Sequence, residues 1–406
     1  MSQDTTTPRP LPLRRERPFD PPDEYALLRS DEPVSRLSFP DGKIGWLVTR
    51  YADVRRVLTD PRFSSRKDNA SSPVLQNPFS KRVPPGMFVA MDPPDHTRYR
   101  RLLIGYFTVR KMRNLTSRVQ QIVDEHLDTM TRGTRPADLV TAFATPVPAL
   151  VMCELLGVPY HDRADFQART TTLLSLDSTP ETVQTALAGM REYMDELVRR
   201  KQAAPGEDVL SHLLHAENPS DNLPPEEVSS IGSLMLFAGY ETTANMLGLG
   251  TLVLLRHPEQ LAELRANRSE HALDRPIEEL LRYLTIAQVG VVRVAAEEVN
   301  LGGQRIAAGE TVVLSLSSAN RDGAAFDNAD RLDLARPPET NAHVAFGYGI
   351  HQCLGQQLVR VEMNVALRSL FDRLPNLRLA VDPDQIHMRG DMSIYGVHEL
   401  PVTWDG

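Results

Sequence analysis

Residues 345–355 read A-F-G-Y-G-I-H-Q-C-L-G. This stretch contains Cys353, one of only two cysteines in the chain, with His351 two residues before it. Apolar residues follow the cysteine at helical spacing: Leu354, Leu358, Val361 and Val365. We therefore expect Cys353 to lie at the start of a helix, where unpaired backbone amides favour a thiolate over a thiol.

Three glycines, Gly347, Gly349 and Gly355, surround this cysteine. A thiolate either attacks a substrate or binds a metal, and His351 is near enough in sequence to act as a base for attack. Glycines on both sides favour metal binding, because they leave room for a flat, bulky group to approach the backbone. The stretch is predicted to hold a planar cofactor against the sulfur, whereas Cys153, in L-V-M-C-E-L-L-G, is predicted to be a small buried hydrophobe.

Composition narrows the class of protein. The chain has 406 residues, 45 Lys and Arg, 53 Asp and Glu, and a net charge of -8, which argues against a general nucleic-acid binder. Two cysteines cannot make a disulfide framework, and the first residues show neither a secretory leader nor a membrane anchor. We expect a cytoplasmic protein that binds neither nucleic acid nor membrane.

The pattern along the chain predicts one large, mainly α domain with small antiparallel β-sheets. Residues 1–20, rich in Thr, Pro and Arg, are predicted to be a mobile tail before a domain over 21–406. Alternating residues about an Asp-Gly pair predict a hairpin over 34–50. The pattern is mostly helical over 96–265, and alternation returns over 289–316, where small ribbons are expected.

The stretch F-G-Y-G-I-H-Q-C-L-G matches the signature Phe-Gly-x-Gly-x-His-x-Cys-x-Gly, and the chain thereby resembles the cytochrome P450 monooxygenases, particularly their soluble actinobacterial class I form. The resemblance implies the cytochrome P450 fold and a haem b (iron protoporphyrin IX), with O2 as co-substrate. It also implies that Cys353 is the iron ligand and that Phe346 and Gly355 contact the cofactor.

Residues 234–247, L-M-L-F-A-G-Y-E-T-T-A-N-M-L, are an apolar helical pattern with an interruption in the middle. Glycine inside a helix costs about 1 kcal/mol relative to Ala, and a glutamate in an apolar run is costly unless it is paired or hydrated, so the place looks functional. By resemblance, Glu241 and Thr242 deliver protons, and Ala238 and Gly239 lie against the haem, where Gly239 leaves room for the diatomic. Tyr240 stands where such relatives often carry His.

Haem carries two carboxylates, so cations are expected around it. The resemblance assigns that role to His96, Arg100, Arg293 and His351, although each taken singly is more often an ordinary surface or core charge. His96 and Arg100 are four residues apart and are predicted to share a helix face.

A Glu-x-x-Arg pair supports the cysteine side of the haem in the family that the chain resembles. Glu279 and Arg282 have this spacing, and Arg336 falls where a third partner is expected. Glu196 and Arg199 have the same spacing with no such role. The order along the chain favours Glu279 and Arg282, because they follow the acid-alcohol helix and precede the cysteine.

The resemblance implies an enzyme that inserts one atom of O2 into a C–H or C=C bond of an apolar small molecule, by hydroxylation or epoxidation of a secondary metabolite or xenobiotic. Substrate contacts are expected from residues 64–95, Phe237, residues 287–292 and residues 393–395. A haem peroxygenase driven by H2O2 and a non-catalytic haem sensor or carrier remain alternatives, whereas a zinc protein lacks its motif.

The chain has no flavin or iron–sulfur signature. Electrons are therefore expected from NAD(P)H through a reductase and a ferredoxin, with the enzyme acting as a monomer. The candidate docking residues for ferredoxin are basic: Arg98, Arg101, Lys111 and Arg113.

Overall fold

The computed structural model describes residues 7–67, 70–75, 83–267, 269 and 271–405. These residues contain fifteen α-helices: α1 (Glu24–Asp31), α2 (Tyr51–Thr59), α3 (Asp95–Ile104), α4 (Val109–Asn114), α5 (Thr116–Arg132), α6 (Pro146–Leu156), α7 (Arg163–Leu174), α8 (Pro180–Ala203), α9 (Val209–Leu214), α10 (Pro225–Gly239), α11 (Glu241–Leu255), α12 (Pro258–Ala266), α13 (Asp274–Leu284), α14 (Leu316–Ala319) and α15 (Gln356–Arg373). A mainly helical fold is confirmed.

The same described residues contain ten β-strands: β1 (Val34–Ser38), β2 (Ile44–Val48), β3 (Phe63–Ser64), β4 (Ala137–Asp138), β5 (Val291–Ala295), β6 (Val299–Leu301), β7 (Gln304–Ile306), β8 (Thr311–Leu314), β9 (Arg378–Leu379) and β10 (Pro401–Thr403). The chain divides into two compact units. Unit 1 is Met1–Val83, Val89–Thr97 and Glu278–Cys353, and unit 2 is Pro84–Phe88, Arg98–Ile277 and Leu354–Gly406.

Unit 1 is built on a five-stranded sheet in the order β1-β2-β8-β5-β3. The predicted hairpin over 34–50 is confirmed, since β1 and β2 pair antiparallel. The predicted ribbons over 289–316 are also confirmed, as the antiparallel pairs β5–β8 and β6–β7. One junction, β2–β8, is parallel, with Trp46 opposite Val312. The strands are rich in Val, Leu and Ile, whose side chains form the core of this unit.

Part of the predicted tail makes contacts within unit 1. Arg9 bridges to Leu37 beside β1, and Leu11 is buried. Asp20 forms an ion pair with the buried Arg321 at 3.0 Å. The boundary of a mobile tail at residue 20 stays a prediction, although residues from Arg9 onward make these contacts.

Unit 2 is an assembly of helices with one three-stranded sheet in the order β4-β10-β9. Helix α11 is buried along almost its whole length, and its partners include α6 and α15. The predicted helix after Cys353 is α15, which buries Leu358 and Val365 as the spacing indicates. Cys153 lies in α6 with 1% of its surface exposed, which confirms it as a core residue. None of the helices in the described ranges combines the length and apolarity that a membrane crossing needs.

Candidate functional site

The cysteine loop, residues 344–353, is held by its own backbone in unit 1. The amide of Cys353 donates to the carbonyl of Phe346 at 2.8 Å, and the amide of Gly347 donates to Val344 at 2.8 Å. Gly349 has φ +75°, and a Cβ there would lie 2.8 Å from the Leu58 carbonyl oxygen, so only glycine fits. Cys353 is an exposed cysteine, and α15 begins three residues after it, as the sequence predicts.

Space is open beside this loop where a side chain would otherwise stand. A Cβ on Gly347, which has φ +71°, would meet nothing within 4 Å, and the same is true of Gly355. An exposed thiol in a backbone-held loop with bare glycine flanks fits a flat group that approaches the sulfur closely.

Two of the predicted cofactor residues in unit 1 form a histidine pair. The rings of His96 and His351 lie 4.1 Å apart between centroids, with 48° between their planes. Nε2 of His351 lies 2.9 Å from Oγ of Ser65, whose amide donates to Asp92 at 2.8 Å. His96 is 2% exposed, so it belongs to the interior of unit 1 and is not a solvated surface residue.

Arg293 carries a buried positive charge. It is 5% exposed, donates one hydrogen bond to the Val292 carbonyl at 2.9 Å, and within the described ranges forms no ion pair. Burial lowers the pKa of this guanidinium to about 10, and the charge of Asp92 only partly opposes the effect. Burial also lowers the pKa of Lys67 to about 8, and the charge of Arg293 adds to this shift.

These cations fit the carboxylates of a haem. A buried guanidinium without a carboxylate partner is costly, and an anionic group would remove that cost. Arg100 lies one turn beyond His96 on α3 and is half-buried. Arg100 and Gly355 belong to unit 2, whereas His96, Arg293, Phe346, His351 and Cys353 belong to unit 1.

The predicted Glu279–Arg282 pair is confirmed as a buried ion pair. Arg282 donates two hydrogen bonds of 2.8 Å to the two carboxylate oxygens of Glu279, and both side chains are fully buried. Arg336 donates to the same carboxylate at 2.9 Å, which confirms the third partner. Arg282 also donates to the carbonyls of Asn320 and Ala329, so the cluster ties α13 to the segment that leads towards the cysteine loop.

Burial distinguishes the Glu279–Arg282 pair from the other Glu-x-x-Arg match in the sequence. Glu196 and Arg199 also form an ion pair, but their side chains are 52% and 68% exposed on α8. An exposed pair of this kind contributes little to stability.

The interruption predicted in the central helix is a real break, in unit 2. Helix α10 ends at Gly239 and α11 begins at Glu241. The hydroxyl of Thr242 donates to the Ala238 carbonyl at 3.1 Å, across the break. A Cβ on Gly239 would lie 2.6 Å from the Met152 sulfur, so packing against α6 accounts for this glycine. Its role in leaving room for a diatomic stays a prediction.

Glu241 is held by two residues that the sequence did not single out for this purpose. Its Oε1 lies 2.6 Å from a guanidinium nitrogen of Arg389, and the two side chains are 6% and 12% exposed. Asn245, one turn along α11, donates to the Glu241 carbonyl at 2.8 Å. Helical spacing could have indicated Asn245, whereas no local pattern marks Arg389, which lies in the irregular segment after β9.

Tyr240 is a core residue of unit 2. It is fully buried, and its ring packs edge-on against Phe166 of α7 with 5.6 Å between centroids. Burial raises the pKa of its phenol, and the neighbouring charge of Glu241 raises it further. Its hydroxyl has no hydrogen-bond partner among the described residues.

The predicted substrate segments are only partly described. Residues 68–69 and 76–82, inside the predicted 64–95 segment, lie outside the described residues. Phe237 is half-buried, and Ser393 donates to the Leu174 carbonyl at 2.8 Å. Tyr395 is 2% exposed and is part of the interior.

The chain is similar in sequence and in structure to cytochrome P450 proteins. The family profile described as Cytochrome P450 matches residues 166–389. Cytochrome P450-SU2 from Streptomyces griseolus is 49% identical over 389 residues, covering 95% of this chain and 94% of the relative. Pentalenic acid synthase from Streptomyces avermitilis is 44% identical over 403 residues, 98% of each chain. The crystal structure of CYP105P1 in complex with filipin I has a TM-score of 0.92 and 42% identity, covering 98% of this chain and 99% of that chain.

Proposed function

We propose that this chain, which belongs to the cytochrome P450 family and is a haem-dependent monooxygenase, inserts one oxygen atom of O2 into a C–H or C=C bond of an apolar small molecule. The geometry of the cysteine loop is the main support for this proposal and for the roles of the site residues. Its backbone hydrogen bond from Cys353 to Phe346 and its glycines present one thiol beside open space.

Haem, when bound, supplies an iron centre that activates O2, and a thiolate ligand favours cleavage of the O–O bond. Cys353 is proposed as the iron ligand, with Phe346 and Gly355 beside the ring. Arg293 is proposed to hold a haem carboxylate, because its buried charge forms no ion pair among the described residues. His96, Arg100 and His351 are proposed to act with it, as donors to the same kind of group.

Thr242 and Glu241 are proposed to handle the protons that the reaction consumes. Thr242 holds its hydroxyl at the helix break through its bond to Ala238. Glu241 is fixed by Arg389 and Asn245 at the first turn of α11. A carboxylate and a hydroxyl in consecutive positions at a helix break are suited to hold and pass a proton, with Ala238 and Gly239 shaping the same place.

The proposed substrate is an apolar secondary metabolite or xenobiotic. One relative is named pentalenic acid synthase, and a structural relative was crystallised with filipin I, which supports a small organic molecule as the substrate class. Residues 64–95, Phe237, residues 287–292 and residues 393–395 are the proposed contacts, of which Phe237 and Ile394 are half-buried.

The test combines binding with isotope labelling. A panel of apolar compounds is titrated into the haem-loaded protein, and the spin state of the iron is followed. Compounds that shift it are then turned over under isotopically heavy dioxygen. One heavy oxygen atom per product molecule is expected, and the product-derived oxygen coming from water or peroxide would contradict the proposal.

Ferredoxin is proposed as the electron donor, and α4 is the part of the basic patch that is available to it. Arg98 forms an ion pair with Glu227 at 3.0 Å, and Arg101 forms one with Asp221 at 3.2 Å. Lys111 and Arg113, both on α4, are exposed and form no ion pair among the described residues. Action as a monomer in the cytoplasm stays a prediction.

A further inference from the structure

A cavity of about 360 Å³ lies in unit 2 between α4, α5, α6 and α9, and the roles assigned so far give it no use. None of the residues proposed to contact haem or substrate, or to handle protons, lines it. Its size falls within the range of roughly 300–1,000 Å³ that is usual for sites of small-molecule ligands.

The inner wall of the cavity is aliphatic and belongs to the core of unit 2. Met112 and Val119 are each 1% exposed, and Ile122 is fully buried. Four further aliphatic side chains line the same space: Leu115, Val151, Leu155 and Val209. An apolar occupant is favoured, because it completes the packing of these side chains, whereas a polar group placed against them would lose its hydrogen bonds with water. Aliphatic lining of this kind fits an alkyl chain.

One cation at the exposed side of the cavity is available to an anionic group. Lys111 is exposed, its Nζ lies 4.5 Å from the centroid of the Tyr106 ring, and it forms no ion pair among the described residues. Arg118 also lines the cavity, but its Nε donates to both carboxylate oxygens of Glu154 at 2.9 Å. Among the described lining residues, Lys111 is therefore the lysine or arginine whose charge has no carboxylate partner.

The remaining ionisable groups of the lining leave that charge in place. The ring of His212 stacks on Tyr106 with 5.9 Å between centroids and 15° between planes. Glu207 lies 3.7 Å from Nε2 of His212, but its side chain is fully exposed, so water and salt screen its charge. The cavity thus combines an aliphatic wall with a single uncompensated positive charge at its exposed side.

We propose that this cavity binds a medium-chain alkyl monocarboxylate, with the chain against the aliphatic wall and the carboxylate against Lys111. Because Lys111 lies on α4, a carboxylate bound there removes part of the charge proposed to attract ferredoxin. Ligand and ferredoxin are then expected to weaken each other's binding by the same factor. This consequence rests on the proposed role of ferredoxin, whereas binding of the ligand does not.

Three variants separate the parts of the site. Leu155→Trp fills the cavity with an indole from a half-buried position. Lys111→Met removes the charge and keeps an apolar stem. Leu187→Trp is the matched control, since Leu187 is 53% exposed on α8 and does not line the cavity.

Isothermal titration calorimetry of decanoate and of decanol measures binding. The haem-loaded protein is first saturated with phenylimidazole, which ligates the iron and occupies the haem pocket. One decanoate per chain is expected. Leu155→Trp should weaken both ligands about tenfold, because the chain loses its place against the aliphatic wall. Lys111→Met should weaken decanoate about threefold and leave decanol unchanged.

The control and the contradicting results follow from the same titrations. Leu187→Trp is expected to bind both ligands as the parent does. Absence of decanoate binding, equal affinity in the parent and Leu155→Trp, or equal losses of decanoate and decanol in Lys111→Met would each overturn the inference.

Reduction of the haem by ferredoxin under carbon monoxide tests the coupling without any substrate. Saturating decanoate is expected to raise the ferredoxin concentration for half-maximal rate about threefold in the parent and to leave it unchanged in Leu155→Trp. A rise of equal size in both proteins would overturn the coupling. If calorimetry shows the site but the parent's value does not move, ferredoxin docking on α4 fails and the ligand site stands.

Discussion

The carboxylate of Glu279 is shared by two arginines in the interior of unit 1. We expect Glu279→Gln to lower the free energy of unfolding by about 3–5 kcal/mol, because it leaves the buried guanidinium groups of Arg282 and Arg336 without their counter-charge. Urea unfolding followed by far-ultraviolet circular dichroism measures the change.

The chain supplies its own control for that experiment. Glu196→Gln removes the same kind of pair from the exposed surface of α8, and no measurable change is expected. Equal losses in the two variants would contradict the role given to burial.

Glu362 gives a prediction about stability and pH. Burial raises the pKa of this carboxyl well above its ordinary value of 4.5, so in the folded protein it keeps its proton when the unfolded chain has lost it. The stability it contributes is fully present below pH 4.5 and is lost as the pH rises through the raised pKa. Relative to the parent, Glu362→Leu should therefore gain stability as the pH rises from about 4.5 to 8.

Thermal unfolding midpoints of both proteins, measured across this pH range, provide the check. A difference between parent and Glu362→Leu that does not depend on pH would show that Glu362 ionises as an ordinary carboxyl does.

Helix α4 is expected to form part of the ferredoxin interface. A double charge reversal of Lys111 and Arg113 to Glu should raise the KM for ferredoxin about tenfold at low salt and flatten its dependence on ionic strength, because long-range attraction is lost. Steady-state ferredoxin titrations at several salt concentrations measure both effects.

Reversal of Arg101 is the matched comparison, since Asp221 already neutralises this residue. A smaller effect on the KM is expected there. An unchanged KM in the α4 variant would place the docking surface elsewhere.

Local sequence patterns predicted the helices and the hairpin, and they predicted the break between α10 and α11 only in part. The Asp41-Gly42 turn marked the β1–β2 hairpin, and the apolar spacing after Cys353 marked α15. The interruption after Ala238 marked a break, but periodicity did not place it at Tyr240. The helical spacing that places Leu358 and Val365 on the buried face of α15 also places Glu362 there. Its burial was not predicted, because an acidic residue interrupts the apolar pattern.

The order of the motifs along the chain predicted the family, whereas contacts between residues far apart in sequence could not be predicted from it. The parallel junction of β2 with β8 and the ion pair of Glu241 with Arg389 both join segments far apart in sequence. Such contacts depend on how the chain folds back on itself, which no local pattern encodes. Glu279, Arg282 and Arg336 were identified only because the family resemblance supplied their order.

The bond between the sulfur of Cys353 and haem iron is the feature on which the proposed function depends most. The direct measurement is the absorption spectrum of the reduced, carbon monoxide-bound protein for the parent, Cys353→Ser and Cys153→Ser. The parent and Cys153→Ser should both show the long-wavelength band of a thiolate-ligated haem, since Cys153 is a buried core residue, and Cys353→Ser should lack it. A thiolate band that survives in Cys353→Ser, or one that is lost in Cys153→Ser, would contradict the assignment of Cys353 as the iron ligand.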